Sequence, residues 1–377
     1  MYQIKGKIDS TNAPEFENEL MKALPIEIDA GELEYISSAG LRVLLKLSKA
    51  VGNVTVNNVS PDVYEIFDIT GFTSILNIRK ALREIDLTGK EIIGKGGNGT
   101  VYRLDDERIV KVYRSEHSLE YIDRERAYAK AAFVSGIPSV IAFDVVKAGD
   151  GYGVVFEAMN SDTLSHAMVT EPERRGEYIK KYVELAKTLH TTPMKGEEIA
   201  TLKSLLYTRL DDDYMNENLT PEELGTLKSI VDSMADVNTL VHGDLHPGNI
   251  MLQDGELMLI DMGEVTRGVP IYDVASVFRD LISAPKSNPE ITRTSMGLEP
   301  ELATEIGMKF LSMYSCISNP HALEGYLKQL GLVYAFNVVM LLPNVSQRDQ
   351  RGPLIIENLL RPVVLPNADA LKYILSK

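Results

Sequence analysis

Over roughly the first 80 residues the hydrophobic positions switch repeatedly between a period of two and a helical period. Residues 2–8 read as extended, 12–23 as helical and 26–29 as extended. A helix follows at 38–51, a strand at 54–57, a helix at 62–70 and a last extended piece at 75–78. Short alternating strands and helices of this kind build a small α/β layer domain. In the helix at 38–51, Leu41, Leu44 and Leu45 recur at i, i+3 and i+4, with Val43 and Leu47 beside them, so a broad apolar face must pack on a sheet. Ser37 and Ser38 mark its start, where hydroxyls cap free backbone N–H groups.

The pattern then changes. Thr100-Val101-Tyr102-Arg103-Leu104 is β-type, Asp105-Asp106-Glu107 turns the chain, and Arg108 to Tyr113 is β-type again. Helical spacing dominates later: 119–132, then 177–190 with Tyr178, Ile179, Tyr182, Val183, Leu185, Ala186 and Leu189 on one face, and most of the chain from Ile291 onward. The longest apolar stretch, 330–342, is interrupted by Asn337 and closed by Pro343, which suits a buried helix and not a membrane span.

Composition narrows the function. A chain of 377 residues with 44% hydrophobic and 25% charged residues is a folded protein of two or three domains, taking roughly 150 residues per domain. Its formal charge of −15 repels phosphate backbones and anionic lipid headgroups, so neither nucleic acid nor membrane is an expected partner. The lone Cys316 can close no intrachain disulfide and build no thiolate zinc site. The N-terminus has no signal-peptide core, and a cytoplasmic location is expected.

Two stretches carry chemistry. The first is Gly94-Lys95-Gly96-Gly97-Asn98-Gly99-Thr100-Val101, a G-x-G-x-x-G-x-V run. A dinucleotide site would need a helix directly after it. Here a strand follows, so the glycines form a hairpin whose backbone N–H groups can approach a triphosphate without Cβ clashes. Lys111, on the third strand, would place a cation on the α- and β-phosphates and needs an anionic anchor; Glu125 is favoured over Glu120 and Asp123. The second stretch is His242-Gly243-Asp244-Leu245-His246-Pro247-Gly248-Asn249, followed 12 residues later by Asp261-Met262-Gly263. Apolar strands flank this loop, and a turn at Asp254-Gly255 brings Asp244, Asn249 and Asp261 to one hairpin mouth, with the second strand ending in Asp261. Oxygen ligands of this type suit Mg²⁺ shared with phosphates. In this reading Asp244 accepts or orients the substrate hydroxyl proton, Asn249 and Asp261 hold Mg²⁺, and His242 braces the loop.

These residues carry two resemblances. Glu34-Tyr35-Ile36-Ser37-Ser38-Ala39-Gly40-Leu41-Arg42, with Phe67-Asp68-Ile69-Thr70-Gly71-Phe72 downstream, resembles a STAS domain, the fold of anti-sigma-factor antagonists. In that family's switch members a Ser directly before the Gly is phosphorylated; here that position is Ala39, and Ser37 and Ser38 are read either as caps alone or as substitute phosphosites. From about residue 88 to 345 the chain is similar to the aminoglycoside phosphotransferase and choline kinase branch of the protein-kinase-like fold. His246 in place of a lysine, Asp261-Met262-Gly263, and the lack of an Ala-Pro-Glu after it separate it from ordinary protein kinases, and Pro270-Ile271-Tyr272-Asp273-Val274-Ala275 is similar to that branch's Tyr-Asp-Leu-Ala element. By the same resemblance Asp273 braces the catalytic loop, and Glu157-Ala158-Met159 is the interlobe hinge whose backbone bonds adenine.

The fold implied is an α/β STAS domain over 1–84, followed by an α+β bilobal kinase-like fold with a β-rich N-lobe over 85–158 and a helical C-lobe over 159–377. The function implied is an ATP- and Mg²⁺-dependent phosphotransferase. Its acceptor is a hydroxyl, with small molecules of aminoglycoside, amino-alcohol or sugar type favoured, and the STAS domain regulates it or docks a protein. Two alternatives stay open: a protein Ser/Thr kinase in a partner-switching pathway, and a nucleotide-sensing module without turnover. His190 is read as a hydrogen-bonded core residue before a catalyst. Asp211-Asp212-Asp213 and Glu222-Glu223 are read as a solvated face before a lure for a cationic substrate.

Overall fold

In the computed structural model the chain forms two compact units, one of residues 1–86 and 146–150, the other of 87–145 and 151–377. The residues described are 1–149, 151–159, 162–195, 199–344 and 351–377.

The first unit is a parallel sheet of Tyr2–Ile8 (β1), Glu27–Ile36 (β2), Thr55–Val59 (β3) and Asn77–Lys80 (β4), in that spatial order. Helices Ala13–Ala23 (α1), Ser38–Val51 (α2) and Pro61–Ile69 (α3) connect the strands, and a short strand Arg83–Ile85 (β5) comes after them. Leu41, Val43, Leu44 and Leu47 of α2 are buried with Ile28, Ile36, Val56 and Phe67 in one core, and Leu45 is partly buried at its edge. Ser37 caps α2, its hydroxyl oxygen accepting the Ala39 N–H at 3.2 Å. Strand β2 continues to Ile36, well past the expected 26–29. Its pairing with β1 slips between Gln3 and Lys5 and again between Gly6 and Lys7, and each slip interrupts the alternation that marks a strand.

The second unit opens with a sheet in the order β9-β10-β8-β7-β6, made from Ile92–Lys95 (β6), Gly99–Arg103 (β7), Arg108–Tyr113 (β8), residues 142–145 of the strand Ala142–Ala148 (β9) and Gly151–Glu157 (β10). Helix Leu119–Val134 (α4) is started by Ser118, whose hydroxyl accepts the Tyr121 N–H at 3.2 Å, and buries Ile122, Glu125, Ala129 and Ala132. Beyond β10 the unit is mainly helical. Pro320–Met340 takes up most of the long apolar stretch, burying Val333, Phe336, Val339 and Met340 in a core with Leu206, Leu227, Ile230 and Leu360. Among the described residues no helix is long and apolar enough to cross a membrane.

The acidic runs serve helix starts. Asp212 caps Asp213–Asn218 by accepting the Tyr214 N–H at 2.9 Å, and Thr220 with Glu223 forms a capping box on Pro221–Asp232. Carboxylates are favoured there because they meet the unpaired N–H groups and the positive helix end.

Candidate active site

The second unit holds a cavity of about 640 Å³. Gly94, Gly96, Gly97, Asn98, Gly99 and Val101 of the β6–β7 hairpin line one wall; Lys111, Glu125, Glu157, Met159 and Asp261 line others. The hairpin closes through the Gly96 N–H, which donates to the Gly99 carbonyl at 2.9 Å. A Cβ on Gly99 would come within 2.2 Å of the Val112 carbonyl, so strands β7 and β8 can meet there only around glycine. At Gly96 and Gly97 a Cβ would meet nothing within 4 Å.

Lys111 is central to this wall. Its ammonium donates to Glu125 Oε1 at 2.8 Å and to Asp261 Oδ1 at 2.7 Å. Burial alone would pull the Lys111 ammonium down, but the Glu125 and then the Asp261 carboxylates outweigh it and hold its pKa above the ordinary lysine value. Strand Glu256–Leu259 stops short of Asp261, so the strand end expected at that residue lies two positions earlier. Asp261 instead has φ +61 and turns the chain into the Met262–Glu264 turn. Aspartate tolerates this left-handed conformation better than most residues. Glu157 spends its carboxylate on the Ile141 N–H at 2.6 Å, while the Ala158 N–H donates to the Glu107 carbonyl at 2.7 Å.

Beside this wall runs the loop of residues 242–249, tied down by Asp273. That carboxylate is wholly buried; it accepts the His242 N–H and the Gly243 N–H, both at 2.7 Å, and lies 3.0 Å from His190 Nε2. His190 also meets the Tyr314 hydroxyl at 2.7 Å, the role of a bonded core residue. His242 is enclosed: Nδ1 accepts the Asp244 N–H at 3.3 Å, so Nε2 carries the proton that goes to the Ile260 carbonyl at 3.0 Å. Asn249 joins loop to hairpin. Its amide donates to the Asp244 carbonyl and to Asp244 Oδ2, each at 3.0 Å, and its backbone carbonyl accepts the Ile260 N–H at 3.1 Å.

Three partners of the Asp244 cluster escape the sequence pattern as site residues. Arg279 donates to Asp244 Oδ1, and Asp280 holds the same guanidinium through Nε–Oδ1 and Nη2–Oδ2 contacts of 2.7 Å. His246 Nε2 lies 3.5 Å from Asp244 Oδ2, while its Nδ1 accepts the Gly248 N–H at 3.1 Å. Burial would raise the Asp244 carboxyl, yet His246 and then Arg279 hold it well below the ordinary carboxylate range. A signal for Arg279 and Asp280 exists, since they are a charged pair inside the apolar run Val274 to Ile282.

Comparison with known proteins decides the family. The model for the phosphotransferase enzyme family matches residues 90–304. The chain belongs to that family. A STAS domain model matches residues 1–85, and over 84 residues the chain is 37% identical to BtrV of Bordetella bronchiseptica, named as a putative anti-sigma factor antagonist, covering 20% of this chain and 72% of that protein. Among solved structures, the phosphotransferase is similar to the streptomycin–ATP–APH(2")-IIa ternary complex, with 14% identity, 72% of this chain and 90% of that chain covered, and a TM-score of 0.46. A choline/ethanolamine kinase family protein from Mesorhizobium loti gives 15% identity, 75% and 87% coverage and a TM-score of 0.43. The phosphotransferase thus joins an N-terminal STAS domain to a kinase-like fold with a β-rich first part and a helical second part.

Proposed function

We propose that this phosphotransferase moves the γ-phosphoryl group of ATP, with Mg²⁺, to a hydroxyl of a small acceptor of aminoglycoside, amino-alcohol or sugar type, and that its STAS domain regulates the reaction or docks a protein. We assign residues 1–84 to the STAS domain, 85–158 to the β-rich lobe and 159–377 to the helical lobe. The observation that carries the reading is Lys111, shared by Glu125 and Asp261 at the wall of a cavity capped by glycines 94, 96, 97 and 99.

The donor set fits a hard cation. Asn249 spends its NH₂ on Asp244, which leaves the amide oxygen as its ligand end, and Asp261 supplies a carboxylate. Among the described residues no group of three or more His, Cys, Asp or Glu assembles into a metal cage, which suits Mg²⁺ held by few protein oxygens together with phosphates. Bound there, Mg²⁺ would neutralise charge on the phosphates.

The chain's own groups do the rest. The backbone N–H groups of Gly97 and Asn98 at the hairpin tip and the Lys111 ammonium hold phosphate oxygens, while the walls at Glu157 and Met159 hold the base. Asp244, kept ionised by His246 and Arg279, orients the acceptor hydroxyl and takes its proton as the new P–O bond forms and the bond from the γ-phosphorus to the β–γ bridging oxygen breaks, releasing ADP. So low a pKa makes it a weak base, and most of its effect is positioning.

The test is an ATP-coupled screen over aminoglycosides, amino alcohols, sugars and candidate proteins, with Asp244→Asn as control. Turnover should fall at least ~10²-fold while nucleotide binding survives; unchanged turnover rejects Asp244. The likeness to BtrV favours a second reading, in which a seryl or threonyl side chain is the acceptor. Added phosphate on residues 1–84, read by intact and fragment mass after ATP incubation, would select it.

A further inference from the structure

The Glu125 side chain is 1% exposed, and only one of its two carboxylate oxygens is accounted for. Oε1 takes Lys111 at 2.8 Å, while Oε2 is buried with no hydrogen-bond partner. A buried carboxylate half-satisfied in this way is unfavourable enough to demand a second donor. Close to this pair is another orphan, the hydroxyl of Tyr113, also buried and also unpaired. Tyr113 lies two residues beyond Lys111 on β8, so both side chains leave the same face of the strand. The Lys111 ammonium sits 4.9 Å from the Tyr113 ring centroid, which places the phenol against the Lys111–Glu125 pair. Burial and then the Glu125 carboxylate push the Tyr113 phenol far up, so it keeps its proton and remains a donor. Gly263 completes the wall. A Cβ there would stand 3.2 Å from Glu125 Oε2 and 3.0 Å from the Tyr121 hydroxyl, so a side chain on the turn after Asp261 would crowd these groups.

We propose that Tyr113 is a positioning residue of the nucleotide site, its hydroxyl donating to Glu125 Oε2 so that Glu125 is held from both sides and presents Lys111 to the phosphates. The two orphans satisfy one another, and a small rotation of either side chain closes the bond. Tyr113 then acts only through Glu125 and Lys111. Tyr121, whose hydroxyl borders the same spot, is the natural rival for Glu125 Oε2.

This inference rests on the nucleotide reading for its effect but not for the pairing itself, so two measurements on the full chain separate them. The first is a double-mutant cycle of Tyr113→Phe and Glu125→Gln followed by urea unfolding, which needs no ligand. Non-additive changes support the pairing; additive ones overturn it. The second is calorimetric titration with Mg·ATP. Tyr113→Phe should weaken binding about 3- to 10-fold, Tyr121→Phe should leave it unchanged, and Tyr113→Phe should add nothing in a Glu125→Gln background. A Tyr113→Phe protein that binds Mg·ATP as wild type does, or that loses as much without Glu125, overturns the positioning role. Wild-type protein that binds no Mg·ATP rejects the nucleotide reading, and the unfolding cycle alone then judges the pair.

Discussion

The two charged clusters of the second unit each set one cation against two carboxylates, but bury them differently. At Lys111 the ammonium faces Glu125, 1% exposed, and Asp261; at Asp244 the Arg279 guanidinium faces Asp280 and an Asp244 that is 40% exposed, with His246 beside it. In the first cluster Glu125 is enclosed, and two carboxylates on one ammonium leave an excess negative charge, a setting that favours an added cation. In the second, Asp244 is partly open, and water can replace a partner it loses, while Asp280 is mostly enclosed. An ion pair's contribution therefore cannot be read from its distance. Burial decides whether removing one member strands the other.

Asp273 gives the largest expected effect, because it lies beneath the open cluster yet is itself enclosed. Asp273→Ala strands the His242 and Gly243 N–H groups and removes the Nε2 partner of His190, and should destabilise the fold by about 3–5 kcal/mol in urea unfolding. A loss under ~1 kcal/mol would break the rule that burial governs. Next comes the direct contrast between cations. Lys111→Met leaves Glu125 enclosed without its cation, where burial pushes its carboxyl up further toward the protonated form, and should cost about 2–4 kcal/mol of stability. Arg279→Met leaves Asp244 to water and His246 but strands the mostly enclosed Asp280, so its loss should be smaller than that of Lys111→Met, about 1–2 kcal/mol by the same measurement. Equal losses would erase the distinction between the clusters.

How much of each cluster is legible in the sequence depends on the same contrast. Lys111, Glu125 and Asp261 sit in local patterns, a strand, a helix face and a hairpin end, that each restrict residue type, so the pattern names them before their contacts are known. The structure adds that Lys111 bonds Glu125 and Asp261 together. Arg279 sits on the five-residue π-helical turn Arg279–Ser283 that continues helix Ile271–Phe278. No 3.6-residue periodicity marks such a turn, and its reach to Asp244 depends on tertiary packing alone. In the first unit the α2 face is legible because five apolar residues repeat on it, whereas β2 is half hidden by the register slips against β1. Tyr113 reads only as a strand residue, because alternation reports a side chain's face and not whether its hydroxyl lacks a partner.

The smallest expected effect lies in the hairpin. If the Lys111 cluster is short of positive charge, the phosphates must be held largely by backbone N–H groups, and a side chain intruding there should weaken nucleotide binding without touching the fold. Gly96 allows that test, because its Cβ would meet nothing within 4 Å and its φ is not left-handed. Gly96→Ala should leave stability within about 0.5 kcal/mol of wild type, since reduced freedom of the unfolded chain favours alanine slightly at such a position. Its Mg·ATP affinity should fall about two- to fivefold in calorimetric titration. Gly99 cannot serve, as its Cβ would strike the Val112 carbonyl and disturb the sheet as well as the site. Undiminished affinity in Gly96→Ala would mean that the side-chain cations hold the phosphates without the hairpin, and that the charge deficit at Lys111 has another remedy.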